Sequence, residues 1–67
     1  MVRCIRVPKR EGEQVRSALF EQGMLDLGSR IRSEDGFLLI PVLCDSYMDY
    51  EVVDAELQVQ EQRPTDY

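Results

Sequence analysis

At 67 residues, with 43% hydrophobic and 31% charged side chains, the chain has globular composition and the length of at most one small domain. Its two cysteines, Cys4 and Cys44, come without a secretory signal or a C-x-x-C pair, and no apolar run approaches the roughly 20 residues of a membrane span, so disulfide-stapled, metal-clipped and membrane-spanning classes are set aside and a soluble cytoplasmic protein with reduced thiols is expected. The net charge of −5 argues against nucleic-acid binding, but it is unevenly spread: residues 1–32 sum to +3 and residues 33–67 to −8, a division that points to one basic face on an acidic remainder.

From the N-terminus, Val2 to Val7 reads as a strand with Ile5 and Val7 on one face and Cys4 and Arg6 on the other. Cys4 is read as a small buried hydrophobe, because the chain has no histidine to serve a thiol nucleophile as base. Pro8 cannot donate to a strand ladder, and Lys9-Arg10-Glu11 is expected to turn the chain into a helix running from about Gly12 to Gln22. Glu11 and Glu13 suit the positive end of that helix, Val15 and Leu19 face inward, Arg16 faces outward, and Gly23 sits where a left-handed cap belongs. Met24, Leu25 and Leu27 then form an apolar connection expected to seal the helix end.

Asp35-Gly36 between two extended runs predicts a hairpin with a two-residue type I′ turn. That turn pairs Glu34 with Phe37, Arg32 with Leu39 and Ile31 with Ile40. Ile31, Ser33, Leu38, Ile40 and Val42 then share one face, and Arg30, Arg32, Glu34, Phe37 and Leu39 the other. A single helix covers only one side of a small sheet, so the mixed apolar and basic side is either arginines snorkelling over half-exposed apolar groups or a contact surface. Pro41 to Tyr50 reads as a loop or at most a helical turn, and Val53, Ala55, Leu57 and Val59 alternate with polar residues as a last strand. The domain is placed at 1–59 and a polar linker toward a missing second domain at 60–67, giving an α+β fold: one helix packed on a small, mostly antiparallel sheet in the order strand, helix, hairpin, strand.

Cys4-x-x-Val7-x-Lys9-x-x-Gly12-Glu13-Gln14-x-Arg16-x-x-Leu19, followed by Leu25, Ile31, Ser33-Glu34 and Pro41, resembles the N-terminal domain of archaeal and eukaryotic tRNA (guanine(37)-N1)-methyltransferases. The likeness runs without a gap from about Cys4 to Val42 and resumes at Val53-Asp54-x-Glu56-Leu57, while the connection between Val42 and Val52 is shorter than in many relatives. The resemblance implies a three-domain parent that uses S-adenosylmethionine to methylate the guanosine beside the anticodon. This domain would check tRNA shape at the elbow of the L, and the catalytic and methyl-donor sites would lie in later domains. The chain has no histidine, no glycine-rich loop after a strand and no Asn-Pro-Pro-type signature, so these 67 residues are expected to hold no cofactor and to have no activity alone. Expected partners are tRNA and the other domains of the parent, with no DNA and no membrane.

Shape recognition of folded RNA uses phosphate and 2′-hydroxyl contacts with stacking on exposed bases, work suited to arginine and lysine. Lys9, Arg10 and Arg16 are expected together at the strand-to-helix junction, with Gly12 allowing close backbone approach there; Arg6, Arg30 and Arg32 are second candidates from the sheet. Other readings stay open: an interaction module that docks on the rest of its own chain, a small-ligand regulatory domain, or the same domain in a wybutosine-pathway enzyme.

Overall fold

A computed structural model describes residues 2–55. The elements follow as β1 (Val2–Pro8), α1 (Lys9–Glu21), β2 (Arg32–Glu34), β3 (Phe37–Pro41) and β4 (Glu51–Ala55). All strand pairings are antiparallel, and the sheet order is β2-β3-β1-β4. The α+β arrangement expected from the sequence is therefore the one observed. The expected continuation of the last strand through Leu57 and Val59, and the linker at 60–67, lie outside the described residues.

β1 is central because it can be buried on both faces. Ile5 and Val7 are fully enclosed on the helix side, and Cys4, pointing the other way, is only 3% exposed. The hairpin forms as its dipeptide dictates: Asp35 and Gly36 take φ of 42° and 83°, the pair of positive values that a type I′ turn needs. Its register is Glu34 with Phe37, Ser33 with Leu38 and Arg32 with Leu39. Ile31 stops short of β2, yet it is half-buried and packs against the core.

The helix starts earlier than the sequence suggests. Lys9, Arg10 and Glu11 form its first turn instead of a turn leading into it. Pro8 stands at the N-cap with φ −56° and ψ 140°, so one residue closes the strand and opens the helix. The first helical N–H finds a partner across the fold, since the Lys9 amide donates to the Gly36 carbonyl at 3.0 Å. Glu11 is the carboxylate in the first turn, whereas Glu13 opens the second. At the other end Gly23, with φ 73°, makes the expected cap: its N–H donates to the Phe20 carbonyl and the Met24 N–H to the Leu19 carbonyl, the paired bonds of a Schellman motif.

Val15 and Leu19 pack from α1 onto Ile5, Val7, Ile40 and Val42. Burying each large aliphatic side chain contributes about 1.5–3 kcal/mol. Met24 and Leu25 join this core, with Leu25 bridging to Val42, but Leu27 is 74% exposed and seals nothing. The cause is local: the Asp26 carboxylate accepts from the Gly28 amide and the Ser29 hydroxyl, and this tight turn carries Leu27 outward. Pro41 ends β3 instead of opening the loop, and its carbonyl accepts from the Asp26 amide at 3.0 Å.

Candidate nucleic-acid interface

The basic residues of the N-terminal half separate once the helix is laid on the sheet. With 3.6 residues per turn, Lys9 and Arg16 lie two turns apart on one flank of α1, the flank toward β2. Arg10 falls on the side opposite the buried stripe of Gly12, Val15 and Leu19 and points to solvent. The expected trio of Lys9, Arg10 and Arg16 is thus not one cluster. Arg16 instead shares its flank with Arg30, from the segment entering β2, whereas Arg32, paired with Leu39, stands on the opposite face of the sheet with Arg6.

Between α1 and β2, Arg16, Arg30 and Glu13 line a groove of about 460 Å³ with Ile31 and Leu38 as its apolar walls. It continues into a second hollow of about 310 Å³, where Leu25, Leu27, Asp26 and Ser29 take over the lining. Glu13, Arg16 and Ile31 border both hollows, so the two form one trough along the helix flank. The Arg16 guanidinium stands 3.5 Å from the Glu13 carboxylate, an exposed pair one turn apart that contributes only about 0.2–0.5 kcal/mol and leaves the arginine available. Lys9, Arg10 and Arg32 make no ion pair with a described residue. Phe20, 57% exposed and four residues after Arg16, puts an aromatic ring on the same flank. Residue-type reasoning passed over Phe20, Ile31, Ser33 and Leu38; only the Arg16-to-Phe20 spacing could have flagged one of them.

Gly12 is buried, and its missing side chain serves packing: a Cβ there would lie 2.4 Å from Leu38 Cδ1. The close approach that this glycine permits is that of the helix to β3. The clashing atom is the tip of a flexible side chain, and alanine is favoured over glycine in a helix by about 1 kcal/mol. Gly12→Ala is therefore expected to change stability by less than about 1 kcal/mol in a denaturant titration, whereas Gly12→Val, with two more methyl groups against Leu38, should cost about 1–3 kcal/mol.

Arg6 lies on the other side of the sheet. Its guanidinium sits 4.2 Å above the Phe37 ring and 3.8 Å from the Glu51 carboxylate, while Leu39 beside it is only 6% exposed. This is the snorkelling alternative, reinforced by a cation–π contact. Its Nε is enclosed without a hydrogen-bond partner among the described residues. Arg3 pairs with Asp45. Burial pushes the Cys4 thiol upward, which keeps it protonated and apolar in character.

The loop after β3 is tied to the helix by Tyr50, whose hydroxyl donates to the Glu11 carboxylate at 2.6 Å. That hydrogen bond, followed by burial, raises the Tyr50 pKa above its ordinary value of 10.0. The folded state holds this proton more tightly than the unfolded chain does. The contribution is therefore complete below about pH 10 and is lost as pH rises toward the folded-state value. Tyr50→Phe is expected to lower stability by about 1 kcal/mol at pH 7 and to remove this component of alkaline destabilisation, both readable from unfolding midpoints across pH 7–11.

Among the described residues no helix is long and apolar enough to cross a membrane, and no cluster of three or more potential metal ligands occurs. β1 passes into α1 through Pro8 alone, with no loop there that could cradle a nucleotide-type cofactor, so these residues do not fit a methyl-donor site.

The model of the tRNA methyltransferase 5 N-terminal domain matches residues 4–54. The chain is 45% identical over all 67 residues to the tRNA (guanine(37)-N(1))-methyltransferase Trm5b of Pyrococcus abyssi, and it spans 20% of that protein's length. The crystal structure of wild-type Trm5b from the same organism superposes with a TM-score of 0.75 at 46% identity, over 87% of this chain and 17% of that one.

Proposed function

Since the chain belongs to the tRNA methyltransferase 5 N-terminal domain family, we propose that it recognises tRNA for a cytoplasmic, S-adenosylmethionine-dependent guanine(37)-N1 methyltransferase, by checking shape at the tRNA elbow. The observation that carries this reading is the α1–β2 trough, where Arg16 and Arg30 meet in a chain whose net charge is −5. Two guanidinium planes with apolar walls suit phosphates and exposed bases together, the chemistry of shape-directed RNA recognition. Methyl transfer and donor binding are assigned to the rest of the parent chain, on which this domain acts as a substrate gauge.

The test is an NMR titration of the 67-residue chain with folded tRNA and with a minihelix that lacks the elbow, at low and moderate salt. Saturable shifts with tRNA alone, weakening as salt screens the phosphates, are expected. Equal binding to the minihelix would remove the elbow from the reading. Absence of tRNA binding at low salt would remove RNA recognition altogether.

A further inference from the structure

The side of the sheet away from α1 carries a surface that tRNA recognition in the trough does not use. Side chains alternate along a strand, so β1 points Cys4 and Arg6 there, opposite Ile5 and Val7. The registers add Leu39 from β3, Glu51 and Val53 from β4, and Arg32 and Glu34 from β2. No described helix or strand lies over them, since α1 and the loop residues Cys44, Tyr47 and Tyr50 all pack against the core on the other side. Arg6, Arg32, Glu34, Leu39, Val53 and the last described residue, Ala55, line a hollow of about 290 Å³. Both of its guanidinium groups have unmet donors among the described residues. The Arg6 Nε is enclosed without a hydrogen-bond partner, and the exposed Arg32 makes no ion pair.

We propose that this face docks on the remainder of the parent chain, with Leu39 and Val53 as its apolar centre and a carboxylate of the partner surface meeting Arg32. Nucleic acid fits it poorly: the carboxylates of Glu34, Glu51 and Asp54 outnumber the two guanidinium groups, and Arg6 is already engaged by the Phe37 ring and by Glu51. Both signs of charge around an apolar middle match a folded protein surface instead. Size then decides between a free and a tethered partner. Four strands about 4.8 Å apart, with five residues each in β3 and β4 at about 3.3 Å a residue, make a face of roughly 14 by 17 Å. That falls well short of the about 800 Å² that each free partner buries in a standard interface, whereas a surface joined by the same backbone acts at a high effective concentration. Ala55 lines the hollow, so the polypeptide that follows β4 in the parent starts beside this face. The methyltransferase relative, of which this chain spans 20%, has ample further polypeptide to supply such a surface. The inference rests on the chain being part of such an enzyme and not on where the RNA sits.

The test compares hydrogen–deuterium exchange of the domain within the full-length parent, free of RNA, with that of the 67-residue chain. Amides of β2 and β4, the two edges of the sheet, are expected to exchange about tenfold more slowly in the full-length enzyme, with those of α1 unchanged. Arg32→Glu and Glu34→Lys, both at exposed positions, are each expected to return the edge strands to the rates of the 67-residue chain. Arg10→Glu, on the solvent side of α1, is expected to leave the protection in place. Thermal melts of the 67-residue variants check that each keeps the fold. Equal exchange in the two chains overturns the docking face, and so does protection that survives both sheet substitutions or is lost equally with Arg10→Glu. Protection that behaves as expected in an enzyme that fails to bind tRNA at low salt supports the docking face while the RNA reading falls.

Discussion

Leu19→Ala is expected to leave the chain largely unfolded at 37 °C. Leu19 has no exposed surface and sits where α1 meets the sheet, packed with Val15 against Ile5, Val7, Ile40 and Val42. Truncating a buried leucine costs about 2–5 kcal/mol, the spread reflecting how far the cavity can collapse. Collapse is restricted here. The helix is held at its start by the Lys9 amide on Gly36 and at its end by the Schellman bonds around Gly23, so it cannot settle onto the sheet without breaking one or the other. Stability scales to roughly 3–10 kcal/mol for a chain of this length, and a core this small places it at the low end of that range, where one such loss takes half or more of the total. Alanine has the highest helix propensity, so the loss is one of packing and not of helix formation. Far-UV circular dichroism through a thermal melt reads the outcome. A midpoint within about 5 °C of the parent chain would mean that Leu19 is not the keystone its burial makes it.

The parts of the fold readable from sequence are those whose cause is a neighbour in the chain. Asp35-Gly36 specifies its turn through the two residues that accept positive φ, and with it the whole register of β2 on β3. Gly23 caps α1 by the same logic, and Val15 and Leu19 are inward-facing on spacing alone. What escaped depends on distant partners. The start of α1 at Lys9 rests on a carbonyl supplied by Gly36, twenty-seven residues on, and the helix could not be seen to begin there without the hairpin already in place. Leu27 counts as apolar in any scan, yet the Asp26 side chain turns it outward.

The candidate site followed the same division. Listing the basic residues is trivial, but sorting them requires the helix to be laid across the sheet. Arg6 and Phe37 meet only because β1 and β3 are neighbours, a strand order that sequence did not specify. Arg10 and Arg16 look close in the chain but face different directions once Lys9 is known to begin the helix. Arg16 and Arg30 are fourteen residues apart in sequence and line one groove, while Arg32, two residues after Arg30, stands on the other face of the sheet.

That regrouping carries the sharpest expectation for RNA. Arg16→Gln is expected to lower tRNA affinity about eightfold at 0.1 M salt, because a lost phosphate contact forfeits the release of about 0.9 counterion. The slope of log affinity against log salt should fall in magnitude by about 1, while Arg32→Gln, on the sheet face away from α1, should change affinity less than twofold. Arg10→Gln, equally basic and equally near the helix start, is expected to change affinity less than twofold, since its side chain leaves α1 on the face away from the trough. Folding should be indifferent to all three changes. Arg16 gives up only an exposed pair with Glu13, and Arg32 and Arg10 make no ion pair with a described residue, so melting temperatures should stay within about 3 °C. Filter binding or fluorescence anisotropy at four or five salt concentrations separates the outcomes. Similar losses at Arg10, Arg16 and Arg32 would describe a diffuse positive field with no preferred seat for the RNA. A loss confined to Arg16, vanishing near 1 M salt where the Debye length shrinks to about 3 Å, would locate the contact in the groove that the helix makes with the edge of the sheet.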